Sequence, residues 1–526
     1  MGKNRANKGW IQRVSPELRP PSLSDNTADV DRLIKGIKKA LGTEDVRVNL
    51  SMAGKVSSSL RRWDFQVQAA VYQEGSGWRL IDLFDARGGA DTYGLALDLG
   101  SSTLVLTLMD LDSGDVVDES SFHNPQIEIG ADILTRIHFA AKEGGLSRLQ
   151  GMLIHRINEE IARLAQRHGL DLASIVGMSV AGNTTMTHLF LGLDPYWICR
   201  EPYIPVVNRP GLIPSRRLGL NINPEAPVLV SPNVGSYFGG DLIAGILAAG
   251  MNSKEEISFL VDVGTNAEVV IGNQDWLMAC AGAAGPALEG GVADMGMMAA
   301  PGVIDHVVID PATRNFTIGM IQRSHDADGP GPLRPLGICG SGLIDLAAQL
   351  YLAGMIDVRG KFVKEACEDR WVEVDGIPQL IIVRPEDSGT GRALTLSQTD
   401  IDGLIRSKAA MYTILTTISN TVNIRFEEIG TFYVAGTFGS YIDPRSAIAI
   451  GMIPDLPIER YVSLGNTSLK GAAMALMDDA ARQQLAHIRD QITYLELNVN
   501  QEFMNLFSAA KFIPHTDRSL FPSVAV

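Results

Sequence analysis

The stretch "GLALDLGSSTLVLTLMDLDSGDVV", residues 94–117, reads as an apolar strand, a tight Gly-Ser-Ser-Thr turn and a second strand running back. One carboxylate, Asp98, stands near the end of the first strand, against small hydroxylic residues. Such a group costs stability unless it has a partner. A second copy of the pattern follows: "ISFLVD" leads into "DVGTNAEVVIG", which begins at Asp262, 262 − 98 = 164 residues downstream. Both copies read Asp-x-Gly-[Ser/Thr], two small or polar residues, then an apolar return strand. The duplication implies two similar lobes facing each other across a cleft.

The two turns share a physical logic. Consecutive Gly and Ser/Thr residues let backbone N–H groups and hydroxyls point at a phosphate. A carboxylate beside a phosphate is repelled unless a cation lies between them, and Mg²⁺ suits that place because it keeps most of its waters. Two hairpins of this kind could hold the β- and γ-phosphates of a nucleotide. A single copy reads as an ordinary hairpin whose Asp caps the turn; two copies with matching flanks favour the phosphate reading.

Composition narrows the class. The chain has 526 residues and a formal charge of −15, with 45% apolar residues. That length implies more than one domain. The acidic balance, without a local Lys/Arg cluster, argues against nucleic acid. No apolar run reaches the roughly 18–20 residues that span a bilayer, and the N-terminus has no apolar signal core. A cytoplasmic location is the expectation. Cys199, Cys280, Cys339 and Cys367 are scattered and show no C-x-x-C spacing. They read neither as a zinc or iron–sulfur framework nor as a disulfide scaffold. The nine histidines show no metal-ligand spacing.

Along the chain, residues 1–25 read as a leader ending in a Pro/Ser-rich linker. A short amphipathic helix follows at "DNTADVDRLIKGIKKALG", capped by Asp or Asn. A hairpin turning at Glu-Gly-Ser-Gly comes next in "FQVQAAVYQEGSGWRLIDLF". Residues 26–92 therefore form a small α+β module. From residue 93 strands and helices alternate in an α/β pattern. Leu146, Leu149, Leu153, Ile157, Ile161 and Leu164 mark one long helix, and 399–419 reads as another. A third element, "FYVAGTFGSYIDPRSAIAIGMIPD", places Ala-Gly-Thr-Phe-Gly at 435–439 behind a strand, where glycine lets a flat ligand such as adenine approach the backbone. Taken alone it reads as a plain strand-to-helix turn. Neither Gly54-Lys55 nor Gly360-Lys361 has the upstream glycine of a Walker A loop, and there is no G-x-G-x-x-G.

These pieces resemble the ATPase fold shared by actin, the sugar and acetate kinases and the heat-shock chaperones. More narrowly, the chain resembles the reductive activators of corrinoid proteins, which serve corrinoid-dependent methyltransferases. The matching segments run in order over roughly residues 93–480: "YGLALDLGSST", "NPQIEIGADILTRI", "SVAGNTTMTHLFLG", "FLVDVGTNAEVVIG", "CAGAAGPALEGG", "GICGSGLIDL", "VAGTFGSYID" and "LGNTSLKGAA". "PPSLSDNTADVDRL" and "LELNVNQEFMNLF" are also similar to that family.

The resemblance implies a two-lobed actin-like (ASKHA, ribonuclease-H-like) ATPase fold preceded by the α+β module. Lobe 1 would span 93–255, lobe 2 with the adenosine motif 256–480, and a helical tail 481–526. It implies ATP and Mg²⁺ as cofactors, a corrinoid (cobalamin-binding) protein as partner, and ATP-assisted reduction of inactive cob(II) to cob(I). Asp98 and Asp262 would face Mg²⁺ through water and act in catalysis. Gly100, Ser101, Ser102 and Thr103 would line one phosphate loop; Gly264, Thr265 and Asn266 would line the other. Asn183 either orients the attacking water or caps a helix. Gly436, Phe438 and Gly439 would meet the adenosine. Glu289 would hydrogen-bond the nucleotide or sit at the lobe interface, or it is a first-turn helix carboxylate. Cys339 reads as a small buried residue. Many members of the family carry four cysteines in a compact run for an iron–sulfur cluster. The cysteines here are spread over 199–367, so no cluster is expected in this chain and electrons would come from an external low-potential donor such as a ferredoxin-like protein. The module at 26–92 suggests a docking unit and a homodimer. A non-redox remodelling ATPase acting on a corrinoid protein and a small-molecule kinase are the alternatives that the same fold allows.

Overall fold

The structure is a computed structural model that describes residues 9–88, 91–236, 238–264, 267–282, 293–322, 333–436, 442–497 and 501–524. The chain divides into two compact units: 1–248 with 467–490, and 249–466 with 491–526.

The first unit begins with the small module. Strands β1 (Ile11–Val14), β2 (Val46–Arg47), β3 (Val67–Glu74) and β4 (Gly77–Asp85) form a sheet in the order β1-β3-β4-β2, joined by helices α1 (Asp29–Leu41) and α2 (Leu50–Arg62). Residues 11–14, read from sequence as part of the leader, are instead an edge strand paired antiparallel to β3. Trp10 explains the difference: it is fully buried and its indole N–H donates to the Ala475 carbonyl at 2.8 Å, which anchors the segment. Helix α1 begins after Ala28, so neither Asp25 nor Asn26 stands at its N-cap and no side chain caps it; Asp25 instead pairs with Arg32 at 2.6 Å.

The larger sheet of this unit has the order β7-β6-β5-β8-β10-β9. Its strands are β5 (Tyr93–Leu99), β6 (Thr103–Asp110), β7 (Val116–His123), β8 (Ile175–Gly182), β9 (Leu212–Pro214) and β10 (Pro227–Val230). Strands β5, β6 and β7 are antiparallel neighbours, while β5, β8 and β10 run parallel. One face carries Leu95, Leu97, Leu99, Leu104, Leu106 and Leu108 into a core with the long helix Gly145–His168. On the other face Ala96, Val176 and Ala181 pack against Leu469, Ala472 and Leu476 of the helix Thr467–Met477. A sheet covered on both faces accounts for β8, all eight residues of which are buried, Ser179 among them. It also draws Thr467–Asp490, far downstream in sequence, into the first unit.

The second unit repeats the plan. Its main sheet has the order β21-β20-β11-β12-β13-β22, with β11 (Ser258–Val263), β12 (Ala267–Gly272), β13 (Leu277–Gly282), β20 (Thr431–Ala435), β21 (Tyr461–Gly465) and β22 (Ile492–Tyr494); between β13 and β20, β14 (Val303–Ile309), β15 (Phe316–Met320) and β16 (Gly337–Ile338) form one small sheet and β17 (Trp371–Val374), β18 (Ile377–Val383) and β19 (Leu394–Ser397) another. Again three strands are antiparallel neighbours (β11, β12, β13), and again two further strands continue parallel from the first (β20, β21). Helices Gly340–Leu352 and Gln398–Thr421 supply much of its core, the second closed at its start by a capping box between Ser397 and Asp400.

Candidate functional site

The repeat puts equivalent residues at equivalent places. Asp98 is the penultimate residue of β5 and lies in register with Ala181 on β8; Asp262 is the penultimate residue of β11 and lies in register with Ala435 on β20. Both are half-buried at the carboxyl ends of parallel strands, the edge at which open α/β sheets bind ligands.

In the first unit the Ser468 hydroxyl donates to Asp98 Oδ1 at 2.7 Å. Ser468 is nearly buried in the first turn of the helix Thr467–Met477. The turn that follows Asp98 is tight: a Cβ built on Gly100 would lie 2.1 Å from the Thr103 carbonyl oxygen. Asn124 braces this turn. Its Nδ2 donates to the Gly100 carbonyl at 3.0 Å, and its backbone N–H donates to the Ser102 carbonyl at 2.9 Å. Its Oδ1 accepts the Gln126 N–H at 2.9 Å. Ser101, Ser102 and Thr103 are half-buried, so the turn is held from behind and open in front.

Asn183 caps the helix Thr184–Leu191, its side chain accepting the Met186 N–H at 2.9 Å. The capping alternative therefore holds in this structure, and it leaves Nδ2 available for a second task. The backbone of Gly239 lies against it, where a Cβ would meet Asn183 Cα at 2.4 Å. The loop after β10 adds polar groups beside this cap. Asn233 Oδ1 accepts the Gly240 N–H at 3.1 Å, and the Thr184 hydroxyl donates to the Gly235 carbonyl at 3.0 Å.

In the second unit the register pairs Asp262 with Glu268, so two carboxylates project from one face of the β11–β12 hairpin. Where the first unit has Val105 opposite Asp98, the second has an acid. Gly264 is half-buried after Asp262. Gly436 has φ +80°, and a Cβ there would lie 2.8 Å from Asp262 Oδ1. Only glycine places the backbone so close to that carboxylate without strain. Thr265, Asn266, Glu289, Phe438 and Gly439 lie outside the described residues.

The structure places Asp98 and Asp262 at matching strand ends, the first turn after Asp98, Asn183 at a helix N-cap, and Gly436 beside Asp262. Sequence reading missed Ser468, Asn124 and Glu268. Asn124 and Ser468 stand in segments that were quoted, but nothing local marks them as partners of the first hairpin. Glu268 was legible in principle from the strand register, since directly opposed residues share a face. Cys339 is buried, with Sγ 3.1 Å from the Ser341 hydroxyl. Among the described residues no group of His, Cys, Asp and Glu is arranged to hold a metal by itself, and no helix is long and apolar enough to cross a membrane.

Three family profiles match consecutive parts of the chain: the RACo linker region over 10–87, the RACo middle region over 93–254, and the C-terminal domain of RACo, the ASKHA domain, over 256–525. The corrinoid activation enzyme RamQ of Eubacterium limosum is 29% identical over 442 residues, covering 82% of this chain and 72% of the relative. The [Co(II) methylated amine-specific corrinoid protein] reductase of Methanosarcina barkeri is 23% identical over 443 residues, covering 79% and 76%. A solved structure, the reductive activator for corrinoid, iron–sulfur protein, superposes with a TM-score of 0.88 at 36% identity, covering all of this chain and 82% of that one. The chain belongs to the RACo family.

Proposed function

We propose that this protein is an ATP-dependent reductive activator of a corrinoid protein. The observation that carries the reading is the likeness along the whole chain to a reductive activator of corrinoid, iron–sulfur protein, 36% identical with a TM-score of 0.88. The substrate is the cob(II) corrinoid of a partner protein. It gains one electron to become cob(I), and an external low-potential donor, such as a ferredoxin-like protein, is oxidised by one electron.

Support for a Mg²⁺–nucleotide comes from two acids, each at the end of a parallel strand: Gly100 keeps the turn after Asp98 tight, and Gly436 brings backbone close to Asp262. When bound, ATP supplies a phosphoanhydride bond whose hydrolysis offsets an uphill electron transfer. Asp98 and Asp262 would each face a hydrated cation, with Glu268 opposite Asp262 on its own hairpin. Gly100, Ser101, Ser102 and Thr103 offer N–H and hydroxyl donors to phosphate oxygens, as do Gly264, Thr265 and Asn266. Asn183 Nδ2 orients the attacking water. Gly436, Phe438 and Gly439 would meet the adenosine, and Glu289 would hydrogen-bond the nucleotide. Ser468 orients the Asp98 carboxylate through its hydroxyl hydrogen bond. Nucleotide binding drives the partner only as far as the two conformations of this chain differ in affinity for it. The protein acts as a homodimer in this reading.

The test mixes the protein with Mg²⁺–ATP, a strong low-potential reductant and a cob(II) corrinoid protein, and follows the cobalt absorption bands. ATP-dependent appearance of cob(I), lost in Asp98→Asn and Asp262→Asn, is the expected result. ATP turnover without any change at cobalt would instead support remodelling, and phosphate transfer to a metabolite without a corrinoid partner would support a kinase.

A further inference from the structure

A pocket of about 110 Å³ opens in the first unit where the small module meets the segment around β9. It is roomy enough for several waters or one phosphate-sized anion. The module contributes Arg47 from the end of β2, Asn49 from the N-cap of α2, Tyr72 from β3 and Arg79 from β4. Arg216 and Glu225 come from the chain between β9 and β10.

The acceptors in this pocket are already engaged. Glu225, nearly buried, accepts the Ser51 hydroxyl at 2.5 Å, Asn49 Nδ2 at 2.5 Å and a nitrogen of Arg216. Asn49 Oδ1 accepts the Met52 N–H at 2.9 Å and the Ser51 hydroxyl at 2.9 Å. The donors are not all engaged. Arg47 spends Nε and Nη2 on Asp45, each at 3.0 Å, and Nη1 remains. Arg79 binds Glu74 through Nε alone, so both terminal nitrogens remain. Arg216 binds Glu225 and Pro224 through Nη1, so Nη2 remains. The Tyr72 side chain is nine-tenths buried, and its hydroxyl has no hydrogen-bond partner among the described residues. Burial pushes the Tyr72 phenol up to about 12, so it stays a donor at neutral pH.

Asp45, Glu74 and Glu225 each neutralise one arginine. Selectivity therefore comes from converging N–H and O–H groups rather than from net charge. A guanidinium fork and a phenol O–H together match an oxyanion with several acceptor oxygens.

We propose that this pocket is a phosphate-binding site, separate from the two hairpins, in which one phosphate group bridges Tyr72, Arg47 and Arg79 of the module to Arg216 of the larger sheet's segment. The ligand is either free inorganic phosphate or the terminal group of a phosphomonoester whose remainder stays in solvent.

Calorimetric titration of the full chain with inorganic phosphate, and separately with phosphoethanolamine, tests the site. Tyr72→Phe removes one oxygen, and Arg79→Gln alters a half-exposed side chain, so both variants are expected to keep the native melting profile. Arg216 is left alone, because its loss would strand the buried Glu225 charge. The expected result is saturable binding in the wild type and in Asp98→Asn, weakened at least tenfold in Tyr72→Phe and in Arg79→Gln. Binding of inorganic phosphate alone identifies the free ion, and binding of both ligands identifies the phosphomonoester terminus. The proposal is overturned if no saturable binding occurs or if both pocket variants bind as the wild type does. It is equally overturned if Asp98→Asn abolishes binding while Tyr72→Phe preserves it, since the phosphate would then belong to the hairpin.

Discussion

Asn124→Ala offers a quantitative test of how the first hairpin is held. Asn124 is 1% exposed, and its side chain makes three hydrogen bonds: Nδ2 to the Gly100 carbonyl at 3.0 Å and weakly to Met186 Sδ at 3.8 Å, and Oδ1 from the Gln126 N–H at 2.9 Å. The backbone bond to Ser102 survives the substitution. Losing the cap on Gln126 costs about 1 kcal/mol. Gln126 is fully buried and itself donates to the Leu149 carbonyl at 3.0 Å, so its N–H has no easy route to water. Leaving the Gly100 carbonyl unpaired costs about 1–3 kcal/mol, toward the low end because Gly100 is half-buried and water can reach it. The total is about 2–3 kcal/mol of folding stability. The share on Gly100, about 1–2 kcal/mol, loosens the hairpin itself and corresponds to about 5- to 30-fold weaker nucleotide binding, at about 1.4 kcal/mol per tenfold.

Two measurements separate these shares: urea unfolding for stability and a fluorescent-nucleotide titration for affinity. Asn124→Asp sharpens the contrast. It keeps the acceptor for Gln126 but buries a carboxylate against the Gly100 carbonyl, so it should unfold at least as easily as Asn124→Ala and bind nucleotide worse. If Asn124→Ala unfolds more easily yet binds nucleotide as tightly as the wild type, the hairpin is self-sufficient and Asn124 braces only its own 3-10 turn.

Ser468→Ala removes the hydroxyl that donates to Asp98 at 2.7 Å, a bond to a charged group worth about 1.5–3 kcal/mol. It should lower kcat/KM for ATP by about tenfold or more while the melting temperature stays within a few degrees. Gly436→Ala forces a left-handed φ of +80° at about 1–2 kcal/mol and drives a methyl to 2.8 Å from Asp262 Oδ1; ATP affinity should fall sharply with an unchanged circular dichroism spectrum. His188 is fully buried, its Nδ1 donating to the Thr184 carbonyl at 2.7 Å and its Nε2 accepting the Val206 N–H at 3.1 Å. Burial holds its pKa below the usual histidine value. The unfolded chain therefore takes up a proton before the folded one does. Stability is full above about pH 6.5 and declines as pH falls from there toward the folded pKa. Melting curves between about pH 5 and 8 should show that decline, and His188→Gln should flatten it.

The sequence by itself determined the repeat. Asp-x-Gly-[Ser/Thr] between two apolar runs is a local pattern, because a strand, a tight turn and a return strand are each written in adjacent residues. The two copies at Asp98 and Asp262 announced two sheets of like topology, and the structure has them. The long helices were legible for the same reason, from spacing along one face. What surrounds the acids was not local. Ser468 lies 370 residues from Asp98 and reaches it only because Leu469, Ala472 and Leu476 seat their helix on the far face of β5 and β8. Asn124 meets Gly100 because β7 returns beside β6, and Glu268 faces the same way as Asp262 because of hairpin register. The strand at Ile11–Val14 formed where a linker was expected, since a buried Trp10 outweighs the weak propensity of a short edge. Hydrophobic burial is non-directional, so sequence pattern shows which face of an element is apolar, while only tertiary packing decides which distant element covers it and which polar side chain arrives with it.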